Sequence, residues 1–272
     1  MRTIDAARYG PWAVVAGASD GVGAAFAEAI AAGGVNVVLL ARRGPLLDEL
    51  AGRIGGRTGV ATRTLAVDLS APGAAASVIE ATADLDVGLL VYCAGGDIDY
   101  EPFLHNSPAA AEAMLARNCL TPMRLSHHYG TAMAARGRGG IVILSSGAGF
   151  VGAPNMAVYG ATKAFDMVFA ESLWCELKDR GVDALAVVMG ETDTPSLRRI
   201  RHRRGLAGPD EPPARAASSE EVVASAFSHL GSGPTVMAGR QIRRGARVIS
   251  PIPRGALVRL MARASRRAMG AP

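Results

Sequence analysis

Trp12-Ala13-Val14-Val15-Ala16-Gly17-Ala18-Ser19-Asp20-Gly21-Val22-Gly23 is an apolar run that breaks into three closely spaced glycines. Residues 24–32, which follow, are rich in good helix formers; Gly33-Gly34 ends them, and residues 35–40 are a second apolar run. Strand, glycine turn, helix and strand in that order make one βαβ unit. In such a unit the first glycine permits a tight exit from the strand. The second lets the backbone approach a pyrophosphate, and the third lets the helix pack close to the sheet. The helix N-terminus adds free N–H groups and the positive end of a dipole. The spacing Gly-x-x-x-Gly-x-Gly differs from the Gly-x-Gly-x-x-Gly of many dinucleotide enzymes.

The alternation continues outward from this unit. Strands are expected near residues 12–16, 35–40, 60–67, 87–92, 140–145, 182–189 and 234–238, and helices near 21–32, 44–54, 71–83, 107–135, 156–180 and 219–230. Apolar runs such as Ile141-Val142-Ile143-Leu144 imply a mainly parallel sheet of seven strands buried on both faces. No Pro/Ser-rich linker and no internal repeat divides the 272 residues, so an α/β arrangement in one domain is expected. Residues 1–10 lack the apolar core of a signal peptide, and no apolar stretch is long enough to span a bilayer. Cys93, Cys119 and Cys175 form no metal or redox spacing and are read as packed thiols of a cytoplasmic protein. The five histidines show no ligand pattern, and the adjacent His127 and His128 suit a surface or interface.

Tyr159 and Lys163 stand four apart, with Ser146 thirteen residues before the tyrosine. On a helix, positions i and i+4 share a face, which puts an ammonium beside a phenol. A nearby cation favours phenolate. Lys163 and Lys178 are the only lysines among 29 basic residues.

Together these residues resemble the short-chain dehydrogenase/reductase family, in its single-domain form, from Trp12 to about Ala238. The glycine turn is Gly17, Gly21 and Gly23; Val67-Asp68-Leu69 ends the third strand; Cys93-Ala94-Gly95 follows the fourth; Asn118 lies in the next helix; and Met189-Gly190-Glu191-Thr192-Asp193-Thr194 follows the sixth strand. The resemblance implies a doubly wound Rossmann-type fold, with residues 1–239 as an NAD(P)-binding catalytic domain whose lid spans about 190–218. It implies a catalytic set of Asn118, Ser146, Tyr159 and Lys163. Tyr159 is the expected general acid, Lys163 its activator and a ligand of the nicotinamide ribose, Ser146 the donor to a developing alkoxide, and Asn118 the holder of a relay water. Ser146 rather than Ser145 has the family spacing to Tyr159. Cofactor contacts are expected from Gly17, Ser19, Asp20, Gly21, Val22 and Gly23, from Arg42, Asp68, Leu69, Ala94 and Gly95, from Tyr159 and Lys163, and from Gly190, Thr192 and Thr194. The expected reaction interconverts a small, apolar carbonyl compound and its alcohol. A homodimer or homotetramer, joined through the two long helices after the fourth and fifth strands, is implied in the same way. Three positions depart from the family pattern: Ala16 stands for a threonine, Tyr92-Cys93 for two asparagines, and Met189 for a proline.

The second strand ends Leu40-Ala41-Arg42-Arg43, without the carboxylate that would bind an adenosine ribose and repel a 2′-phosphate. Arg42, with help from Arg43 and Ser19, is expected to meet that phosphate, which favours NADP(H) over NAD(H). Residues 195–219 include Arg198-Arg199-Ile200-Arg201-His202-Arg203-Arg204, either a receiver for an acidic tail or a solvated, phosphate-contacting lid face. Beyond Glu221 there is no acidic residue, so the formal charge of +5 belongs to a basic tail, residues 240–272. Over 255–269, Leu257, Leu260, Met261, Ala264 and Ala268 fall on one helical face and Arg259, Arg263, Arg266 and Arg267 on the other. Such a helix fits an anionic membrane surface, or it docks on its own domain or a sister subunit. No aromatic residue interleaves the tail arginines, which argues against nucleic acid. A catalytically idle NADPH-binding sensor on the same fold is the alternative to an enzyme.

Overall fold

The computed structural model describes residues 3–96 and 100–249, with Leu260 and Arg263 beyond them. Seven strands form one all-parallel sheet: β1 (Trp12–Ala16), β2 (Asn36–Ala41), β3 (Thr62–Ala66), β4 (Val87–Tyr92), β5 (Gly139–Ser146), β6 (Val182–Met189) and β7 (Thr235–Ala238). Their order is β3-β2-β1-β4-β5-β6-β7. The central strands are apolar on both faces because helices cover both. β3, at an edge, reads Thr-Arg-Thr-Leu-Ala and stays partly exposed, as an edge strand must.

Ten helices surround the sheet: α1 (Ala6–Tyr9), α2 (Gly21–Ala32), α3 (Gly44–Thr58), α4 (Ala74–Ala81), α5 (Pro108–Leu115), α6 (Thr121–Ala135), α7 (Ala157–Leu177), α8 (Pro195–Arg203), α9 (Ser219–His229) and α10 (Arg240–Ile249) among the described residues. Alternate strand residues point to opposite faces. Val15, Val37 and Leu39 meet Phe26, Ile30, Leu50 and Phe227 of α2, α3 and α9. Val14, Val38 and Leu40 belong to the other layer, with Leu125, Tyr129 and Met133 of α6. Each such side chain, fully buried, contributes about 1.5–3 kcal/mol of apolar transfer. Phe26 and Phe227 meet edge to face with centroids 5.6 Å apart, locking α2 against α9.

The chain passes from β1 outward to β2 and β3, then returns to lay β4 on the other side of β1. That reversal opens a crevice at the C-terminal ends of β1 and β4, where α/β sheets bind ligands.

Some elements differ from expectation. The helix expected over 107–135 is two helices joined by a π turn, Ala116–Leu120. α1 is too short to carry periodicity. It is fixed by Asp5, which accepts from the Ala7 and Arg8 N–H groups, and by Asp183 of β6, which accepts from Arg8 and Tyr9 at 2.6 Å each. α8 lies inside the expected lid, with Thr194 as its N-cap and Pro195 at its first position. Cys175 is exposed rather than packed. α10 is a helix at the start of the basic tail, ahead of the one expected over 255–269. The amphipathic helix expected over 255–269 lies outside the described residues except for Leu260 and Arg263, which are helical. Among the described residues no helix is long and apolar enough to cross a membrane.

Candidate active site

Glycine 17 leaves β1 with φ +82°, and a Cβ on it would lie 2.8 Å from the Ala94 nitrogen. A Cβ on Gly23 would meet the Gly17 carbonyl at 2.1 Å. Only glycine lets β1, α2 and the end of β4 come this close, which leaves a backbone cradle at the crevice. Thr194, capping α8, stands over Gly21. Asp20 precedes α2 but does not cap it. Its carboxylate accepts instead from Arg43 at 2.7 Å and Arg199 at 3.0 Å. Burial opposes that charge, yet the two guanidinium groups hold the carboxyl below its usual range.

Arg43 also donates to the Ser19 hydroxyl at 2.8 Å, so Arg43 rather than Arg42 reaches back to the glycine turn. Arg42 is exposed beside it. Asp68 accepts from the hydroxyl and N–H of Ser70, which hold its carboxyl below the usual range, with the charges of Arg42 and Arg117 adding to the effect. Leu69 is buried, and its carbonyl accepts from Thr121 at 2.8 Å.

The four expected catalytic residues come together where β4, β5, the π turn and α7 meet. Ser145, fully buried, donates to the Lys163 carbonyl at 2.7 Å and ties β5 to α7. Ser146, next along, is half-buried and accepts from the Ala148 N–H at 3.2 Å. Tyr159 is half-buried in the first turns of α7, and the Lys163 nitrogen lies 6.0 Å from its ring centroid. Lys163 is 4% exposed and donates to the Leu144 carbonyl at 2.9 Å and to Asp166 at 2.8 Å. Asn118, fully buried in the π turn, donates to Thr162 at 2.9 Å. π turns frequently mark functional positions inside helices. Gly95, with φ +135°, joins the three elements: a Cβ there would sit 2.8 Å from the Asn118 amide oxygen and 3.1 Å from the Lys163 nitrogen.

The departures at Tyr92-Cys93 are compensated. The Tyr92 hydroxyl donates to the Arg117 carbonyl, and Arg117 donates to Gly96 at 3.0 Å and to Asn118 at 3.2 Å. These bonds tie the end of β4 and the loop after it to the π turn without asparagines. Thr192 is buried and donates to the Gly190 carbonyl at 3.2 Å.

Two features escaped the sequence reading. Asp166 pairs with Lys163 one helical turn on, and Ile242 of α10 packs on Gly147 and Gly190, where its Cδ1 would lie 2.7 Å from a Gly147 Cβ. The i, i+3 spacing of Lys163 and Asp166 was readable; nothing in the arginine-rich sequence around Ile242 singles it out. Three arginines of α8 face acids: Arg198 holds Asp193 with two bonds of 2.7 Å, Arg199 holds Asp20, and Arg201 lies 3.8 Å from Glu191. Among the described residues no group of three or more His, Cys, Asp or Glu side chains is arranged to hold a metal.

The family model described as short chain dehydrogenase matches residues 11–205. This chain belongs to the short-chain dehydrogenases. A 7beta-hydroxysteroid dehydrogenase of Collinsella aerofaciens is 39% identical over 238 residues, covering 86% of this chain and 88% of that one. A solved structure from work on 7beta-hydroxysteroid dehydrogenase stereoselectivity superposes with a TM-score of 0.85 at 36% identity, covering 94% of this chain and 98% of the other. A short-chain dehydrogenase from Sphingobium yanoikuyae in complex with NADPH superposes with a TM-score of 0.75 at 30% identity, covering 89% and 96%. This short-chain dehydrogenase is therefore an NAD(P)-dependent oxidoreductase acting on CH–OH groups and the matching ketones.

Proposed function

We propose that this short-chain dehydrogenase uses NADP(H) and interconverts a ketone and a secondary alcohol, with Tyr159 as general acid and base. The observation that carries the reading is the meeting of Gly95, Asn118 and Lys163 beside Ser146 and Tyr159, at the crevice the sheet reversal opens. The glycine cradle fits a pyrophosphate, since any side chain at Gly17 or Gly23 would fill it. Ser19, Arg42 and Arg43 would hold an adenosine 2′-phosphate, and Gly190, Thr192 and Thr194 the nicotinamide end. The cofactor, when bound, supplies or accepts the hydride.

The chain's own groups manage the proton. Lys163 sets its ammonium beside the phenol, 6.0 Å from the ring centroid. In reduction Tyr159 gives its proton to the carbonyl oxygen, and Ser146 donates a hydrogen bond to the charge growing there. Asn118, held by Thr162, lines the path by which Lys163 exchanges protons with solvent. All four groups are present, which favours an enzyme over a sensor on the same fold.

For the substrate we propose an apolar, ring-built alcohol or ketone of the hydroxysteroid class. The similarity to 7beta-hydroxysteroid dehydrogenase over most of both chains supports it. Ile242 of α10, seated beside Ser146 on Gly147 and Gly190, would form an apolar wall of that pocket. The test is reduction of a panel of oxosteroids, simple ketones and 3-oxoacyl thioesters with NADPH and NADH in parallel. The reading expects NADPH to be preferred and at least one oxosteroid to be reduced; preference for NADH, or reduction of acyl thioesters alone, would count against it.

A further inference from the structure

The geometry points to Asp166 as a positioning residue of the reaction: a carboxylate buried behind Lys163 that keeps its head group an ammonium and fixes it at the cleft. This rests on the role proposed above for Lys163. Asp166 is 2% exposed, and its Oδ2 lies 2.8 Å from the Lys163 nitrogen. Its other oxygen, Oδ1, is buried and has no hydrogen-bond partner among the described residues. A carboxylate so placed loses the solvation of water and gains only one strong partner, so its charge and that of Lys163 depend on each other. Two of the three donors of the ammonium are spent inward, on Asp166 and the Leu144 carbonyl. The third remains for the side where Gly95 and Asn118 approach.

A lysine stripped of water ordinarily gives up its proton, and buried lysines fall by several pH units when nothing opposes it. Here burial pulls the Lys163 value down, but the carboxylate of Asp166 and the phenol of Tyr159 outweigh it and hold the value above that of free lysine. Burial likewise lifts the Asp166 carboxyl above its usual range, with Lys163 offsetting part of the rise. The other groups facing the pair are Arg117 and Cys119 from the π turn, Tyr92 at the end of β4 and Cys93 just after it. Arg117 opposes the ammonium. The two thiols are raised by burial, Cys119 to about 11, and so carry no charge at neutral pH. Burial also raises the Tyr92 hydroxyl. Asp166 is thus the neighbour that supplies negative charge to Lys163 at working pH.

The chain offers a direct test because it has only two lysines, Lys163 and Lys178. Full-length protein labelled with 13C at the lysine ε-carbon gives two NMR signals, assigned by Lys178→Arg. In the wild type the Lys163 signal is expected to keep its ammonium shift to at least about pH 10.4, the ordinary lysine value. In Asp166→Asn, which keeps the shape, the midpoint is expected to fall by about two units or more. Equal midpoints in the two proteins would overturn the proposal. If the variant does not fold, a wild-type midpoint well below the ordinary value would overturn it just as directly. The readout needs no turnover, so a wild type that reduces no ketone would fail the oxidoreductase reading while the NMR midpoint still decides Asp166. Where turnover is seen, Asp166→Asn is expected to lose kcat on the alkaline side at lower pH than the wild type. A uniform loss at every pH, with the alkaline limb unmoved, would mark the pair as merely structural.

Discussion

Arg42 and Arg43 follow β2 as neighbours in sequence, but it is Arg43 that turns back to the glycine turn, where it holds Ser19 and Asp20. An adenosine 2′-phosphate bound there, as proposed above, would take charge-assisted bonds from both arginines, each worth about 1.5–3 kcal/mol, or roughly tenfold or more in affinity. Arg42→Asp and Arg43→Asp are therefore each expected to weaken NADPH binding about tenfold or more. NADH binding should change little, as fluorescence titration of both nucleotides would reveal; equal losses would remove the 2′-phosphate contact from the account. This distinction was half legible in the sequence. The absence of a carboxylate after β2 was plain, but which arginine curls inward depends on Asp20, and Asp20 gives no such signal in one dimension. The same holds for Lys163: its partner along the helix was readable as i, i+3, whereas its second bond, to the Leu144 carbonyl, exists only because α7 lies on β5.

Helix α8 meets the glycine turn through one ion pair, Arg199 to Asp20, and is anchored at its own start by Arg198 on Asp193. Both carboxyl groups sit below their usual range. Asp20 owes this to Arg43 and Arg199 against the pull of burial, Asp193 to the bonds from Arg198. A carboxyl depressed on folding contributes stability above its unfolded value and loses it as pH falls through the folded one. The α8 contact should therefore hold across neutral pH and weaken only below about pH 4. In Asp20→Asn that weakening should appear already at pH 7, as faster amide hydrogen exchange in α8 than in the wild type. Unchanged exchange would mean that Thr194 packing over Gly21 holds the helix by itself. Gly23→Ala tests the neighbouring element. Its Cβ would press on the Gly17 carbonyl, so a loss of about 1–3 kcal/mol in denaturant unfolding is expected, together with weaker nucleotide binding. Of these elements β1, the glycine turn and α2 could be read directly. α8 could not, because its arginines mask its cap; the π turn did carry a signal, Pro122 at the start of α6, whose missing N–H and bulky ring disturb the turn before it.

Among the described residues, four of the seven large exposed apolar side chains lie on the layer that carries the two long helical segments, the others being Phe103, Leu104 and Leu260. Leu115, Leu120 and Met123 lie along α5, the π turn and α6, and Val168 on α7. We propose that a second copy of the chain covers them, as the sequence resemblance implied. Leu120→Glu with Val168→Glu should convert a dimer or tetramer into monomers, read by sedimentation velocity; a wild type already monomeric at micromolar concentration would contradict the proposal. The sheet order was legible in outline, since alternating apolar runs and helices on both faces admit few arrangements. How α10 meets the site was not, since Ile242, which packs on Gly147 and Gly190, carries no signal in a sequence that arginines dominate. Proton transfer by Tyr159 is tested by steady-state reduction of a reactive ketone by wild type and Tyr159→Phe, with NADPH affinity measured for both. In the variant kcat is expected to fall by about 10²–10⁴-fold while NADPH affinity stays within about twofold. A phenylalanine variant that turns over at the wild-type rate would contradict it.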